Sequence, residues 1–288
     1  MKSSTAGDGR PRLALVLGAG GIKGWAHVGA LKVLHPAGVP VDLIVGASAG
    51  ALIGPLYAVH RDAAEVERIA MGFTLPNFLE WFLNDLRISP RAGRMGRALW
   101  EAYGRLDFRE LEVPFAALAL DLSDGGPAVL TAGNVGRAVE ASIRVPLIIR
   151  PVRQGGRALV DGGLHSTVPV AVARELGAEL VVAVNVGELI VLPRRLRSLS
   201  ARAGAALEAR PEAPDSLRNQ VGFLAGLVSH GRPRRPRADI EIRPDLRGVN
   251  PVWPWHIHKA ALRGEAAARR ALPAIRRLLA ARAAYSSG

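Results

Sequence analysis

The sequence has no cysteine and no long apolar run, and each absence excludes a class of protein. Without Cys among its 288 residues, neither disulfides nor thiolate chemistry is available. No uninterrupted apolar stretch approaches the ~18 residues of a membrane-spanning helix. The polar N-terminus has no apolar segment of the kind that signal peptides contain. We therefore expect a cytoplasmic, globular protein, in keeping with 49% hydrophobic and 22% charged residues.

Basic and acidic residues nearly balance in the first two thirds of the chain, and the excess of basic residues lies in the last third. Residues 1–188 hold 19 Lys and Arg against 18 Asp and Glu, whereas residues 189–288 hold 19 against 7. This asymmetry indicates either an anionic partner surface or the use of Arg as a solubilising residue. If the partner exists, we expect a transient contact with an anionic membrane and no contact with nucleic acid.

Short apolar segments alternate with helical patterns along most of the chain. Strands are predicted at 13–17, 41–45, 115–120, 128–130, 158–160, 180–186 and 239–243. Helices are predicted at 25–36, 49–59, 62–72, 135–142, 170–176, 217–230 and 259–284. Such alternation is typical of a parallel sheet that helices cover on both faces. We therefore expect an α/β fold of three layers, α/β/α, around a mainly parallel central sheet.

The domain organisation follows from the same patterns. Residues 1–11 are predicted to be a flexible N-terminus, and residues 12–288 a single domain. Residues 189–237 are rich in Arg, Pro and Ala, and we expect an exposed basic excursion from the domain there.

The segment Gly46-Ala-Ser-Ala-Gly50 has the G-x-S-x-G spacing of a nucleophile elbow, between a predicted strand and a predicted helix. Side chains at Gly46 or Gly50 would collide with the neighbouring backbone in so tight a turn. Ser48 would lie at a helix N-terminus, where free N–H groups favour a developing negative charge. Pro55, inside that helix, is predicted to kink or shorten it.

A second glycine-rich segment, Gly18-Ala-Gly-Gly-Ile-Lys-Gly24, follows the first strand. Its G-x-G-x-x-x-G spacing is one residue longer than the dinucleotide-binding pattern, and no acidic residue ends the second strand. Adjacent parallel strands would bring this segment and Ser48 to the same edge of the sheet. We therefore interpret its backbone N–H groups as an oxyanion hole rather than a dinucleotide site.

A serine nucleophile needs a base, and the sequence offers two kinds. Asp161-Gly162-Gly163 follows a short predicted strand, its glycines allow close approach to another loop, and a partly desolvated carboxylate can accept the serine proton directly. The alternative is a conventional Ser-His-Asp α/β-hydrolase with His230, His256 or His258 as base. Against it, the nucleophile comes early in the chain for that fold. A third hypothesis is a non-enzymatic protein that binds anionic membranes through its basic last third.

Four blocks, taken together and in this order, resemble the patatin-like phospholipase family, in particular its bacterial members related to the neuropathy-target-esterase branch. The blocks are Gly18 to Gly29, Gly46 to Gly50, Ala141-Ser-Ile-Arg-Val-Pro146 with Pro151-Val152, and Asp161-Gly-Gly-Leu164 with Val168-Pro-Val170. A fifth segment, Arg263 to Ala268, is similar to the family's closing helix. The similarity extends over roughly residues 12–188 and 238–280.

The resemblance implies a patatin-like fold and a Ser–Asp dyad in place of a triad. Ser48 would attack the acyl group of a lipid ester and Asp161 would act as the base. Backbone N–H groups of Gly20 and Gly21, with Lys23 nearby, would hold the oxyanion. Neither a metal ion nor an organic cofactor is implied.

Two residues beside Pro146 depart from the family pattern. Arg144 stands where the family usually has a small residue, and Leu147 where it usually has Gly. Arg144 either contacts a substrate phosphate or points outward, and the sequence leaves both interpretations open.

Overall fold

The computed structural model describes residues 11–72, 75–84, 86–146, 149–187 and 236–286. The flexible N-terminus, nearly all of the basic excursion, the helix at 217–230, His230 and Leu147 lie outside these ranges. The proposals made for them, and the single-domain assignment for residues 12–288, stay predictions.

The described residues form one mixed sheet of eight strands. The strands are β1 (Leu13–Leu17), β2 (Leu43–Ala47), β3 (Phe115–Asp121), β4 (Pro127–Leu130), β5 (Val152–Gln154), β6 (Arg157–Asp161), β7 (Leu180–Val184) and β8 (Ile240–Ile242). Their order is β5-β6-β3-β2-β1-β7-β8, and β4 pairs with β3 outside this path. The strand predictions are confirmed within a few residues, although β5 was not predicted.

The sheet is parallel from β3 to β8 and antiparallel at the other side. β3, β2, β1, β7 and β8 pair in parallel, as the sequence predicts. β4 and β6 run antiparallel to β3, and β5 runs antiparallel to β6. A tight turn at Gly155 and Gly156, both with positive φ, joins β5 to β6. So short a connection can only join antiparallel strands, whereas parallel strands need a long crossover.

Helices cover both faces of the sheet. They are α1 (Ala26–Leu34), α2 (Ala49–His60), α3 (Ala63–Ala70), α4 (Leu75–Leu83), α5 (Gly93–Leu99), α6 (Val135–Ser142), α7 (Val170–Glu175) and α8 (Ile257–Ser286). Leu15 and Leu17 of β1 share a core with α1, α2 and α8, whereas Val16 belongs to a second core with α7. This alternation gives the predicted three layers. No helix in the described ranges is both long and apolar enough to cross a membrane.

Pro55 does not shorten α2, so that part of the prediction is wrong, and the kink stays a prediction. The helix continues through Pro55 to His60 and is buried from Ala49 to Ala58. A proline inside a helix removes one backbone hydrogen bond and costs ~3 kcal/mol. Burial of this helix between the sheet and its neighbours offsets that cost.

Candidate active site

Ser48 alone connects β2 to α2, and its backbone is in a conformation unusual for a side-chain-bearing residue. Its φ is 52° and its ψ is −116°. Such strain persists only where the surroundings enforce it, and it is commonest at functional sites. The surroundings here are tight, because a Cβ at Gly50 would lie 1.9 Å from the carbonyl oxygen of Leu17, and one at Gly46 would lie 2.5 Å from the carbonyl oxygen of Gly50.

The sheet register brings Asp161 to the level of Ser48. Ala47, just before the serine, pairs with Leu118 of β3, and the next residue of β3, Ala119, pairs with Asp161. β6 therefore ends beside the end of β2, with β3 between them. The Ser48 hydroxyl, at the end of β2, donates a hydrogen bond of 2.7 Å to Oδ2 of Asp161, at the end of β6.

Asp161 is held in a defined orientation and is almost completely buried. Its second oxygen, Oδ1, accepts a 2.7 Å hydrogen bond from the amide of Gly163, and its own amide donates to the carbonyl of Arg144. Burial raises the pKa of this carboxyl to about 6, although the hydrogen bonds from Ser48 and Gly163 act to lower it. The carboxylate is thus a stronger base than an exposed one, and it is ionised above about pH 6.

Ser142 fixes the backbone of the nucleophile. The amide of Ser48 donates a 2.9 Å hydrogen bond to Oγ of Ser142, whose hydroxyl in turn donates to the carbonyl of Leu118 at 2.6 Å. Ser142 is fully buried at the end of α6. The sequence analysis quoted this residue within the Ala-Ser block and assigned it no role.

The glycine-rich loop meets both the elbow and the Asp161 loop. A Cβ at Gly24 would lie 2.3 Å from Cβ of Ala49, and one at Gly163 would lie 2.5 Å from Cβ of Ala19 and 3.7 Å from Cβ of Ser48. A Cβ at Gly162 would lie 1.9 Å from the carbonyl oxygen of Leu118. The three loops can therefore approach this closely only with glycine at these positions.

Several hydrogen bonds position the glycine-rich loop itself. The amide of Gly18 donates to the carbonyl of Val184, and that of Ala19 donates to Thr167 at 2.7 Å. By contrast, the amides of Gly20 and Gly21 donate in none of the hydrogen bonds found in the described ranges. Gly21 has a φ of 54° and begins a short 3-10 turn, Gly21–Trp25. Lys23 lies half-buried in this turn.

His27 holds the glycine-rich loop through a hydrogen bond to its first residue, Gly18. The sequence analysis did not single out this histidine. The ring is completely buried, and Nε2 lies 2.8 Å from the carbonyl oxygen of Gly18. Burial lowers the pKa of His27 to about 4, although the bond to Gly18 acts to raise it. The ring is therefore neutral near pH 7, and its Nε2–H donates to Gly18. The sequence signal was a polar residue on the buried face of α1.

The histidines considered as alternative bases make other contacts. Nδ1 of His256 accepts a hydrogen bond from the amide of Asn250, and His258 is exposed at the start of α8. In the described part of the chain, neither takes part in the hydrogen bonds of Ser48 or Asp161.

Arg144 adjoins the site through its backbone, and its side chain is buried. Its guanidinium is 3.6 Å from Glu140, and Glu140 also accepts hydrogen bonds from Arg137 and from the amide of Ile88. The backbone carbonyl of Arg144 accepts the amide hydrogen of Asp161. The side chain thus points neither outward nor to open solvent, and its role as a substrate contact stays a prediction.

The fold and the site define an α/β/α protein with a buried serine–carboxylate pair beside a glycine-rich loop. A family model described as patatin-like phospholipase matches residues 15–174, more than half of the chain. The chain belongs to the patatin-like phospholipase family. That family is one of carboxylic-ester hydrolases.

Individual relatives agree with this assignment. The chain is 34% identical over 183 residues to an NTE family protein of Mycobacterium tuberculosis, covering 62% of this chain and 50% of the relative. It is 29% identical over 182 residues to Lysophospholipase NTE1 of Pyricularia oryzae, covering 62% of this chain and 12% of the relative. The matched region thus spans half of one relative and a small part of the other. These similarities relate the chain to the neuropathy-target-esterase branch.

A solved structure supports the fold. The crystal structure of VipD from Legionella pneumophila superposes with a TM-score of 0.57 at 14% sequence identity, covering 92% of this chain and 67% of the other.

Proposed function

We propose that the chain is a serine ester hydrolase that releases fatty acid from phospholipid or lysophospholipid, with Ser48 as nucleophile and Asp161 as base. The observation that carries the proposal is the buried 2.7 Å hydrogen bond from the Ser48 hydroxyl to the Asp161 carboxylate. A nucleophile and a base must lie within this reach for direct proton transfer. The raised pKa of Asp161, about 6, suits a base that works near neutral pH.

The proposed reaction has two halves. In the first, Oγ of Ser48 attacks the ester carbonyl while its proton passes to Asp161. The tetrahedral intermediate then collapses, and Asp161 returns the proton to the departing alcohol oxygen. In the second, Asp161 takes a proton from water as that water attacks the acyl-serine. Collapse releases the fatty acid, and the proton returns to Oγ of Ser48.

The oxyanion would bind to the amides of Gly20 and Gly21, with the Lys23 ammonium nearby. These amides make no hydrogen bond among the described residues, which leaves them available to a ligand. The loop is fixed before these amides by the hydrogen bonds of Gly18 and Ala19, and after them by the hydrogen bond from Ile22 to Pro251. Donors held in place before the reaction stabilise a developing oxyanion without a reorganisation cost.

We further propose a cytoplasmic location peripheral to the membrane, with transient contact to anionic lipid. Residues 236–286 carry 10 Lys and Arg against 4 Asp and Glu, so the described part of the last third keeps a basic excess. Basic side chains near an anionic lipid surface contribute about 1 kcal/mol each. The relative named as a lysophospholipase also acts on a lipid ester, as its name states.

Labelling with a fluorophosphonate probe tests the proposal, since such probes react with activated serines. We expect mass spectrometry to find the adduct on Ser48 in the wild-type protein. Ser48→Ala and Asp161→Asn should both prevent labelling and lower the hydrolysis of a soluble p-nitrophenyl ester by about a thousandfold or more.

The histidine variants His230→Ala, His256→Ala and His258→Ala serve as controls. Each should keep near-normal turnover and labelling if Asp161 is the base. Loss of activity in one of them, with full activity in Asp161→Asn, would show that the triad alternative is correct. Circular dichroism spectra confirm that each variant is folded.

A further inference from the structure

An exposed tryptophan pair lies next to the glycine-rich loop. Trp253 and Trp255 are 45% and 57% exposed, and their rings stack with centroids 4.6 Å apart and planes 19° apart. Val252 beside them is 59% exposed. Large apolar side chains that cluster on a surface commonly mark a site of interaction.

The tryptophan pair is connected to the candidate active site by a backbone hydrogen bond. The amide of Ile22, in the glycine-rich loop, donates to the carbonyl of Pro251 at 2.8 Å. The segment Asn250–His256 is also held internally, because Nδ1 of His256 accepts from the amide of Asn250, and Oδ1 of Asn250 accepts from the amide of Val252. The two rings thus lie on a segment that is held by hydrogen bonds and adjoins the glycine-rich loop.

Helix α4 lies beside this segment and carries two further exposed apolar side chains. It packs against the 3-10 turn Pro254–His256 that carries Trp255. Leu79 and Leu83, one helical turn apart, are 48% and 81% exposed. We call Val252, Trp253, Trp255, Leu79 and Leu83 the tryptophan patch.

Basic side chains flank the tryptophan patch in the chain. Residues 243–263 contain four Arg and Lys and one acidic residue, Asp245. Arg247 is 90% exposed at its side chain, and Arg263 is about half exposed. An apolar, Trp-bearing surface with basic neighbours has the composition of elements that lie in the interface of anionic bilayers.

We propose that the tryptophan patch inserts into the interfacial region of anionic phospholipid membranes and so brings the glycine-rich loop to the lipid surface. Tryptophan favours this region because its ring is largely apolar while its indole N–H remains near water. The flanking basic residues meet the anionic headgroups. This inference rests on the proposed lipid-ester function, because it assigns to the patch the delivery of lipid to Ser48.

Vesicle binding by the full chain carrying Ser48→Ala tests the inference without any lipid turnover. The vesicles contain equal amounts of phosphatidylcholine and phosphatidylglycerol, and binding is measured by co-sedimentation. We expect Trp253→Ser with Trp255→Ser to weaken binding by about tenfold or more, and Trp253→Phe with Trp255→Phe to retain most of it. Unchanged binding in the double Ser variant would overturn the proposal.

Brominated lipids locate the contact. Lipids brominated near the top of the acyl chain should quench the emission of the Ser48→Ala protein, because the exposed Trp pair enters that depth. The double Phe variant should bind the vesicles and lose most of this quenching, since Trp25 and Trp81 are buried and Trp100 is partly buried against the core. Quenching of equal size in the double Phe variant would place the contact elsewhere and overturn the proposal.

Two matched arginines test the electrostatic part. Arg247 and Arg109 each pair with an Asp two residues earlier at 2.8 Å, and both are largely exposed. Arg109 lies near the amino end of β3, away from the glycine-rich loop. Arg247→Ser should weaken binding to the anionic vesicles several-fold, and Arg109→Ser should not. If the two variants lose binding equally, the basic residues beside the tryptophan patch have no local role and the electrostatic part of the proposal is wrong.

Size-exclusion chromatography distinguishes lipid binding by the tryptophan patch from the alternative that a second copy of the chain covers it. If the double Ser variant converts a wild-type dimer into a monomer and vesicle binding does not change, the patch is an interface between two copies and the lipid proposal is wrong. Binding is read in a variant that lacks the nucleophile. A protein that binds vesicles but never hydrolyses esters would therefore contradict the proposed function and not this inference.

Discussion

The hydroxyl of Ser48 donates a 2.7 Å hydrogen bond to Oδ2 of Asp161, a residue 113 positions further along the chain. Both side chains are buried, and no Lys or Arg in the described ranges forms an ion pair with the carboxylate. Among the described residues, the carboxylate proposed as base therefore has no ion-pair partner. Burial of an unpaired carboxylate is unfavourable, so we expect the site to carry a cost in stability.

Asp161→Asn should stabilise the protein at neutral and alkaline pH. The folded-state pKa, about 6, lies above the ordinary value of 3.8, so the native state binds more protons between these values. Protonation of Asp161 therefore stabilises the folded state. This contribution is fully present below about pH 4 and is lost as pH rises through about 6. Since Asn cannot ionise, the variant should exceed the wild type by up to roughly 3 kcal/mol at about pH 8.

Urea unfolding at about pH 4 and about pH 8 measures this difference, which should be small at the lower pH. Asp121→Asn is the control. Asp121 is equally buried, but its carboxylate pairs with Arg157 at 3.1 Å and accepts from Ser123. That substitution should destabilise the protein at about pH 8. An Asp161→Asn protein less stable than the wild type at about pH 8 would contradict the buried-charge argument.

The pH dependence of kcat/KM should show a single rise with an apparent pKa near 6. Asp161 must be ionised to accept the proton, and burial raises its pKa to about 6. His27 should not contribute, because burial lowers its pKa to about 4. Hydrolysis of a soluble ester in a series of buffers provides the profile. A limb that disappears in His256→Ala or His258→Ala would instead identify a histidine base.

His27 is a positioning residue for the glycine-rich loop. His27→Ala removes the donor to the Gly18 carbonyl and should lower kcat by about 10–100-fold with little change in KM, because the oxyanion donors lose their alignment. His27→Gln, which keeps an N–H donor, should restore part of kcat, and the inflection near pH 6 should stay in place.

The control for His27 is His35→Gln, at an exposed position just after α1. It should leave kcat unchanged. Equal losses in His27→Ala and His27→Gln, accompanied by a lower melting temperature, would indicate a role in packing alone.

Ser142→Ala should destabilise the protein and impair the nucleophile. It leaves the amide of Ser48 and the carbonyl of Leu118 without their buried partner, and such loss costs about 2 kcal/mol or more. Urea unfolding measures this cost, and the rate of fluorophosphonate labelling measures the loss of alignment at Ser48. Ser166→Ala is the control, because that hydroxyl makes one 3.1 Å bond to Val168 in a less buried place. Similar results for the two variants would contradict the role of Ser142.

Much of the fold could be predicted because it follows from local patterns. The apolar runs of β1, β2, β3 and β7 and the amphipathic helices between them were placed within a few residues. The antiparallel side was missed because β5 has only three residues and two of them are exposed, so it leaves little pattern in the sequence. The shortening expected at Pro55 is absent because local propensity does not include the burial of α2.

The sequence by itself determined the fold class and the candidate chemistry, because glycine spacing and strand–turn–helix patterns depend on steric limits that act over a few residues. Only the tertiary structure decided which groups meet. The register of β6 against β3 sets the distance from Ser48 to Asp161, and burial in that position raises the carboxyl pKa. The supports at Ser142 and His27 and the exposed pair Trp253 and Trp255 come from contacts and exposures between distant segments, which no local pattern encodes.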